Sequence, residues 1–100
     1  MTMTLFAVLF EDDQQNAAAI RKEYLPRHFA FLKANAASIR TAGPLSRESD
    51  AFAGGLWLVE AETTDAVDRL VKEDPFWLAG LRKSVQVFSW NQVFAEGALL

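Results

Sequence analysis

The spacing of apolar residues changes repeatedly along this chain, and each change predicts an element. Residues 3–11, "MTLFAVLFE", mix aromatic and aliphatic side chains over a strand's length and end in the acidic turn Glu11-Asp12-Asp13. From Gln14 to Ala37 the period becomes helical: Ala17, Ile20, Tyr24, His28, Phe31 and Asn35 step by three or four and share one face. Leu25, Phe29, Leu32 and Ala36 widen that face. Pro26 lacks an N–H and crowds the preceding turn, so the pattern predicts a helix over 14–24 and a second one beginning with Pro26 in its first turn. "SIRTAGPLS", 38–46, predicts a short strand interrupted by Gly43-Pro44, and the polar run 47–53 a hairpin loop. In "GGLWLVEAE", 54–62, Leu56, Leu58 and Glu60 alternate with Trp57, Val59 and Ala61, the period of a strand. Thr63 or Thr64 can cap the helix that follows over 65–73, with Asp65 in its first turn and Val67, Leu70 and Val71 turned inward. "PFWLAGL" predicts a helical turn closed by Gly80, and "RKSVQVFSWNQVF", 82–94, a last strand.

The order β-α-β-β-α-β is that of a ferredoxin-like plait, an α+β fold. Each βαβ half requires a right-handed crossover, so both helices lie on one face of a four-stranded antiparallel sheet. Trp57, Phe88 and Trp90 cannot all lie on that covered face, and an uncovered apolar patch of this size marks an interface. A homodimer packed through the open face is therefore expected. The length of 100 residues and 51% hydrophobic content fit a single domain over 1–100 with a small core, one that self-association would reinforce.

Charge and composition remove several functions. The net charge is −3 with no basic run, so nothing attracts a nucleic-acid backbone. Cysteine is absent, which excludes disulfides, thiolate metal sites and cysteine nucleophiles. The first residues lack a basic region and reach three acids quickly, so they predict a first strand; no membrane segment and a cytoplasmic location are expected.

The stretches "IRKEYLPRHFAFL", "TAGPL", "GGLWLVEAETTDAVDRLVKEDPFWLAGL" and the closing strand resemble the YciI-like (YCII-related) domains over nearly the whole chain. The features carrying the resemblance are Arg21, Pro26 with His28, Gly43-Pro44 and Asp74-Pro75-Phe76. The resemblance implies a plait that dimerises into an α+β barrel, a catalytic pair of His28 and Asp74, and ligand contacts from Arg21, Gly43, Pro44 and Phe76. One dechlorinating step on a hydroxylated aromatic, reported in the family, suggests the substrate class. Many members carry Gly-Ser where this chain has Gly54-Gly55, so any ligand contact made by that serine is missing here.

Each candidate also has a plainer account. His28, the lone histidine, lies on the apolar stripe of its helix, where a core histidine with one hydrogen bond would sit equally well. Asp74 before Pro75 is a turn signal in its own right. Arg21, seven residues before His28, suits either a pocket rim facing an anion or a solvated helix surface. Gly43-Pro44 suits a strand end, and Phe76 a core position. A carboxylate holding one imidazole nitrogen fixes the tautomer and leaves the other nitrogen to move a proton. One histidine without cysteine or clustered acids makes no metal site, and no serine-triad, phosphate-loop or dinucleotide motif is present. The expectation is cofactor-free general acid/base chemistry on a small, partly apolar, enolisable or phenolic metabolite. Its rivals are a non-catalytic small-molecule-binding or accessory module with the same pocket, and a purely structural plait.

Overall fold

A computed structural model describes residues 2–48 and 53–100. Its elements are β1 (Thr4–Asp12), α1 (Ala17–Ala34), β2 (Ile39–Leu45), β3 (Gly54–Ala61), α2 (Thr64–Glu73), α3 (Pro75–Leu78), β4 (Arg82–Ser89), β5 (Phe94–Ala95) and β6 (Ala98–Leu99). The main sheet has the order β2-β3-β1-β4, and every neighbouring pair is antiparallel. This is the ferredoxin-like α+β plait, with the first strand central and β2 at an edge.

Alternation assigns the two faces. Phe6, Val8, Phe10 and Asp12 of β1 are buried, as are Trp57, Val59 and Ala61 of β3. Apart from Asp12, these pack with Val67 and Val71 of α2, and with Phe31 and Leu32 of α1 against them, as the core on the helix-covered face. Burying each large aliphatic or aromatic side chain this way contributes about 1.5–3 kcal/mol. Leu56 and Leu58 of β3 and Phe88 of β4 point to the opposite face, across from Ala7 and Leu9 of β1. Helix α2 starts where Thr63 accepts the Ala66 N–H at 3.2 Å. Its Val67 and Val71, one turn apart, form its buried stripe, and Leu70 is half-buried beside them.

Three expectations need correction. Helix α1 runs unbroken through Pro26. Pro26 and the residues around it, Leu25 and Arg27, are on the exposed side, so the carbonyl that loses its N–H partner there can turn to water. The inward residues on either side hold the helix together. Strand β2 likewise continues through Gly43-Pro44, which pair with Leu56 and Gly55. It is an edge strand, where a proline's missing donor can face outward without costing a ladder bond. The last strand stops at Ser89, and a two-stranded hairpin follows, turning through Glu96 (φ 52°) and Gly97 (φ 80°). Of the hairpin loop expected over 47–53, residues 49–52 lie outside the described residues.

Candidate functional site

Continuity of α1 matters because it aligns the site. Ala17, Arg21 and His28 are its buried residues, and their spacing of four and seven keeps them on one face. Seven residues make about two turns, roughly 10 Å along the axis. Arg21 and His28 therefore project into one cleft between α1, the α2–α3 junction and the sheet.

Asp74 sits at that junction. Pro75 forces a stop to α2 and opens α3, and Asp74 caps the new turn by accepting the Phe76 N–H on Oδ1 at 3.1 Å. The same Oδ1 lies 2.7 Å from His28 Nδ1. A carboxylate can only accept, so with Asp74 ionised the proton of this bond belongs to Nδ1. Nε2 of a neutral His28 is then the unprotonated nitrogen, and it has no hydrogen-bond partner among the described residues. The imidazole also stacks on Phe76, with centroids 4.0 Å apart and planes inclined by 17°. Turn chemistry and histidine orientation are thus one arrangement, since the cap that ends the helix is the group that holds the ring. Asp74 is 1% exposed, and its Oδ2 is buried without a hydrogen bond.

A cavity of about 590 Å³ opens beside this pair, lined by Arg21, His28, Gly43, Pro44, Trp57, Phe76 and Arg82 among others. Five of the six residues singled out in the sequence line it, and the sixth, Asp74, stands behind His28. The register puts Pro44 opposite Gly55, on the cavity side of the sheet. Gly43 is opposite Leu56, so it offers the cavity backbone only. Leu25 and the half-exposed Phe29 stand at the mouth, while Trp57 and Phe76 are sealed at the inner end. Among the described residues no group of three or more His, Asp and Glu side chains is arranged to hold a metal ion.

A sequence model of the YCII-related domain matches residues 4–91. The chain belongs to that family. This YCII-related domain is also similar to a solved structure of 5-chloro-2-hydroxyhydroquinone dehydrochlorinase from Burkholderia phenoliruptrix, in complex with 2,5-dihydroxybenzoquinone. The two share 28% sequence identity and superpose with a TM-score of 0.76, covering 87% of this chain and 93% of the other. No curated protein matches the sequence.

Two residues of the YCII-related domain's cleft were not anticipated, Asp12 and Arg82. Asp12 accepts Arg21 Nη2 on one oxygen and Arg82 Nη1 on the other, each at 2.8 Å, and its side chain is fully buried. Arg21 Nη2 also donates to the Gly54 carbonyl at 3.1 Å, so Arg21 is tied into the sheet and is not a surface arginine. The Arg82 guanidinium lies 4.3 Å from the Phe10 ring centroid and 5.5 Å from that of Phe76. Burial pushes Arg82 below the usual guanidinium range, opposed by the bond to Asp12; a guanidinium still remains protonated.

A bulge explains why Arg82 escapes the alternation rule. Val85 and Val87 face the core, which by strict alternation would turn Lys83 inward. The register slips between Glu11 and Asp12, however: Glu11 pairs with Ser84 and Asp12 with Arg82, leaving Lys83 as the extra residue. Arg82 is thereby turned to the cavity and Lys83 to solvent. Room for it comes from Gly55, where a Cβ would stand only 3.0 Å from Arg82 Nη1. At Gly54 a Cβ would run into the Phe10 carbonyl, so a side chain is excluded there by backbone alone.

Proposed function

We propose that this YCII-related protein is a cofactor-free enzyme in which His28 is the general base and acid and Asp74 orients it. The observation that carries this reading is the buried 2.7 Å His28–Asp74 bond at the wall of a mainly apolar cavity. A proton acceptor needs a fixed tautomer, one open nitrogen and a substrate-sized space beside it. The substrate is a small hydroxylated or enolisable ring compound. Loss of HCl from a chlorinated hydroxyhydroquinone, the reaction named for the similar dehydrochlorinase, removes a proton and a chloride with no net oxidation. It asks only for a group that carries protons. Arg21, Gly43, Pro44 and Phe76 form the ligand-binding surroundings, with Phe76 acting mainly by supporting the imidazole.

The test is direct. Chlorinated and unchlorinated hydroxyhydroquinones are incubated with the protein, chloride release and ultraviolet spectra are followed, and melting curves are recorded for each compound. Turnover of at least one compound is expected. Melting shifts without turnover, which arise from binding alone, would instead assign a binding module with the same pocket.

The working unit in this reading is a homodimer. The face of the sheet away from the helices carries Leu56, Leu58, Phe88 and Trp90, and Phe88 and Trp90 remain 51% and 43% exposed. Apolar groups clustered this way favour burial against a second copy. Sedimentation at micromolar concentration should give a dimer, and Trp90→Glu should shift it toward monomer by placing a charge on that face. A wild-type monomer would remove this part of the reading.

A further inference from the structure

The charges buried round the cavity suggest what the ligand must bring. Two guanidiniums, Arg21 and Arg82, line it, and two buried carboxylates stand behind, Asp12 on the arginines and Asp74 on His28, so the formal charges of these four groups cancel. A hydroxyl proton passed from a bound ring to His28 creates an imidazolium and an oxyanion together. The imidazolium rests on Asp74. The oxyanion needs a donor of its own, because an unpaired charge in an apolar cavity is costly.

Arg82 has donors to spare. Its only hydrogen bond to a described residue uses Nη1, its Nε is buried without a partner, and its side chain is 3% exposed. Resting on the reading of His28 as the base, we propose that Arg82 is a specificity-determining residue that receives the ligand's acidic oxygen. The pocket then selects small, largely apolar rings whose hydroxyl ionises on binding. The imidazole centroid and the Arg82 guanidinium carbon lie 4.0 and 5.5 Å from the Phe76 ring centroid, so both groups border the same end of the cavity. Gly55 is the second half of the device, since a Cβ there would stand 3.0 Å from Nη1 and the guanidinium would have to give by a few tenths of an ångström.

Two probes share one ring: 2,5-dihydroxybenzoquinone, which ionises, and its dimethyl ether, which cannot, and the change in preference between wild type and variants separates charge from the bulk of the added methyl groups. Calorimetric titration of the wild type should favour the dihydroxy compound by roughly ten- to hundredfold, the usual scale of a hydrogen bond to a charged group. Arg82→Met, which keeps the stem and leaves Asp12 paired with Arg21, should reduce that preference to within a few fold of unity. Gly55→Ala keeps every charge but crowds the guanidinium, and it should lower the preference in the same direction. Circular dichroism establishes that each variant is folded. His28→Ala, which removes the base, should retain most of the preference, because the probe is already ionised at neutral pH. An unchanged preference in Arg82→Met and Gly55→Ala overturns the proposal, as does a wild type that binds neither probe or both equally. If the preference depends on Arg82 while no compound is turned over, the assignment of Arg82 stands and the catalytic reading of His28 falls.

Discussion

Replacing His28 with alanine is expected to lower turnover of a hydroxylated ring substrate by a factor of roughly 10²–10⁴, the range in which a positioned proton carrier contributes. Asp74→Asn should approach that loss while leaving the architecture intact. An asparagine oxygen still accepts the Phe76 N–H, so the cap of α3 survives. What disappears is the negative charge that stabilises the imidazolium once a proton has arrived. Initial rates of chloride release, measured beside thermal melts, separate this from a structural role. A structural His28 would give the opposite pattern, with alanine lowering the melting temperature and leaving the rate constant alone.

The second large effect is expected at Asp12. Asp12→Ala leaves Arg21 and Arg82 facing each other with no carboxylate between them, in a site where their side chains are 10% and 3% exposed. Removing one partner of a buried ion pair typically costs about 3–5 kcal/mol, because the remaining charge stays in a poorly solvating site. Urea denaturation should show a loss of that order. Adding Arg82→Met to Asp12→Ala removes one stranded guanidinium and should recover part of the loss. A single variant as stable as the wild type would mean that water reaches the guanidiniums freely and that the cluster carries little electrostatic weight.

How much of this was legible in the sequence differs between elements for physical reasons. The strand-length apolar run of β1, the alternation in β3 and the inward Val67, Leu70 and Val71 of α2 follow burial closely, and they were enough to place the elements and the plait, though not to say which strand residues face the helices. The His28–Asp74 juxtaposition rested on Asp-Pro-aromatic together with the family resemblance, and the geometry brings the two groups together. Pro26 and Pro44 misled because a proline is penalised by its surroundings, not by its presence. Pro26 is exposed on a helix and Pro44 lies on a sheet edge, and neither fact is written in the local sequence. Arg82 was beyond the reach of periodicity altogether. One extra residue at Lys83 reverses which neighbour turns inward, and bulges carry no reliable residue signature. Gly54-Gly55 was noticed only as an absent serine. The signal it held was the empty space, which a large side chain from the neighbouring end of the sheet occupies.

The central position of β1 has a consequence for how the molecule comes into being. Asp12 and Arg82 are seventy positions apart, and His28 and Asp74 forty-six, so these two pairs of the cleft close long loops, whereas Asp12 and Arg21 are only nine apart. Such closures lose chain entropy before any contact repays it, and they slow folding relative to the local hairpin of β2 and β3. During synthesis the helix bearing His28 emerges long before β4, and until β4 docks beside β1 the cavity lacks Arg82. In the proposed reading, a ligand that needs Arg82 is recognised only once β4 has docked, and a bound molecule would favour the fully docked state over every partly assembled one.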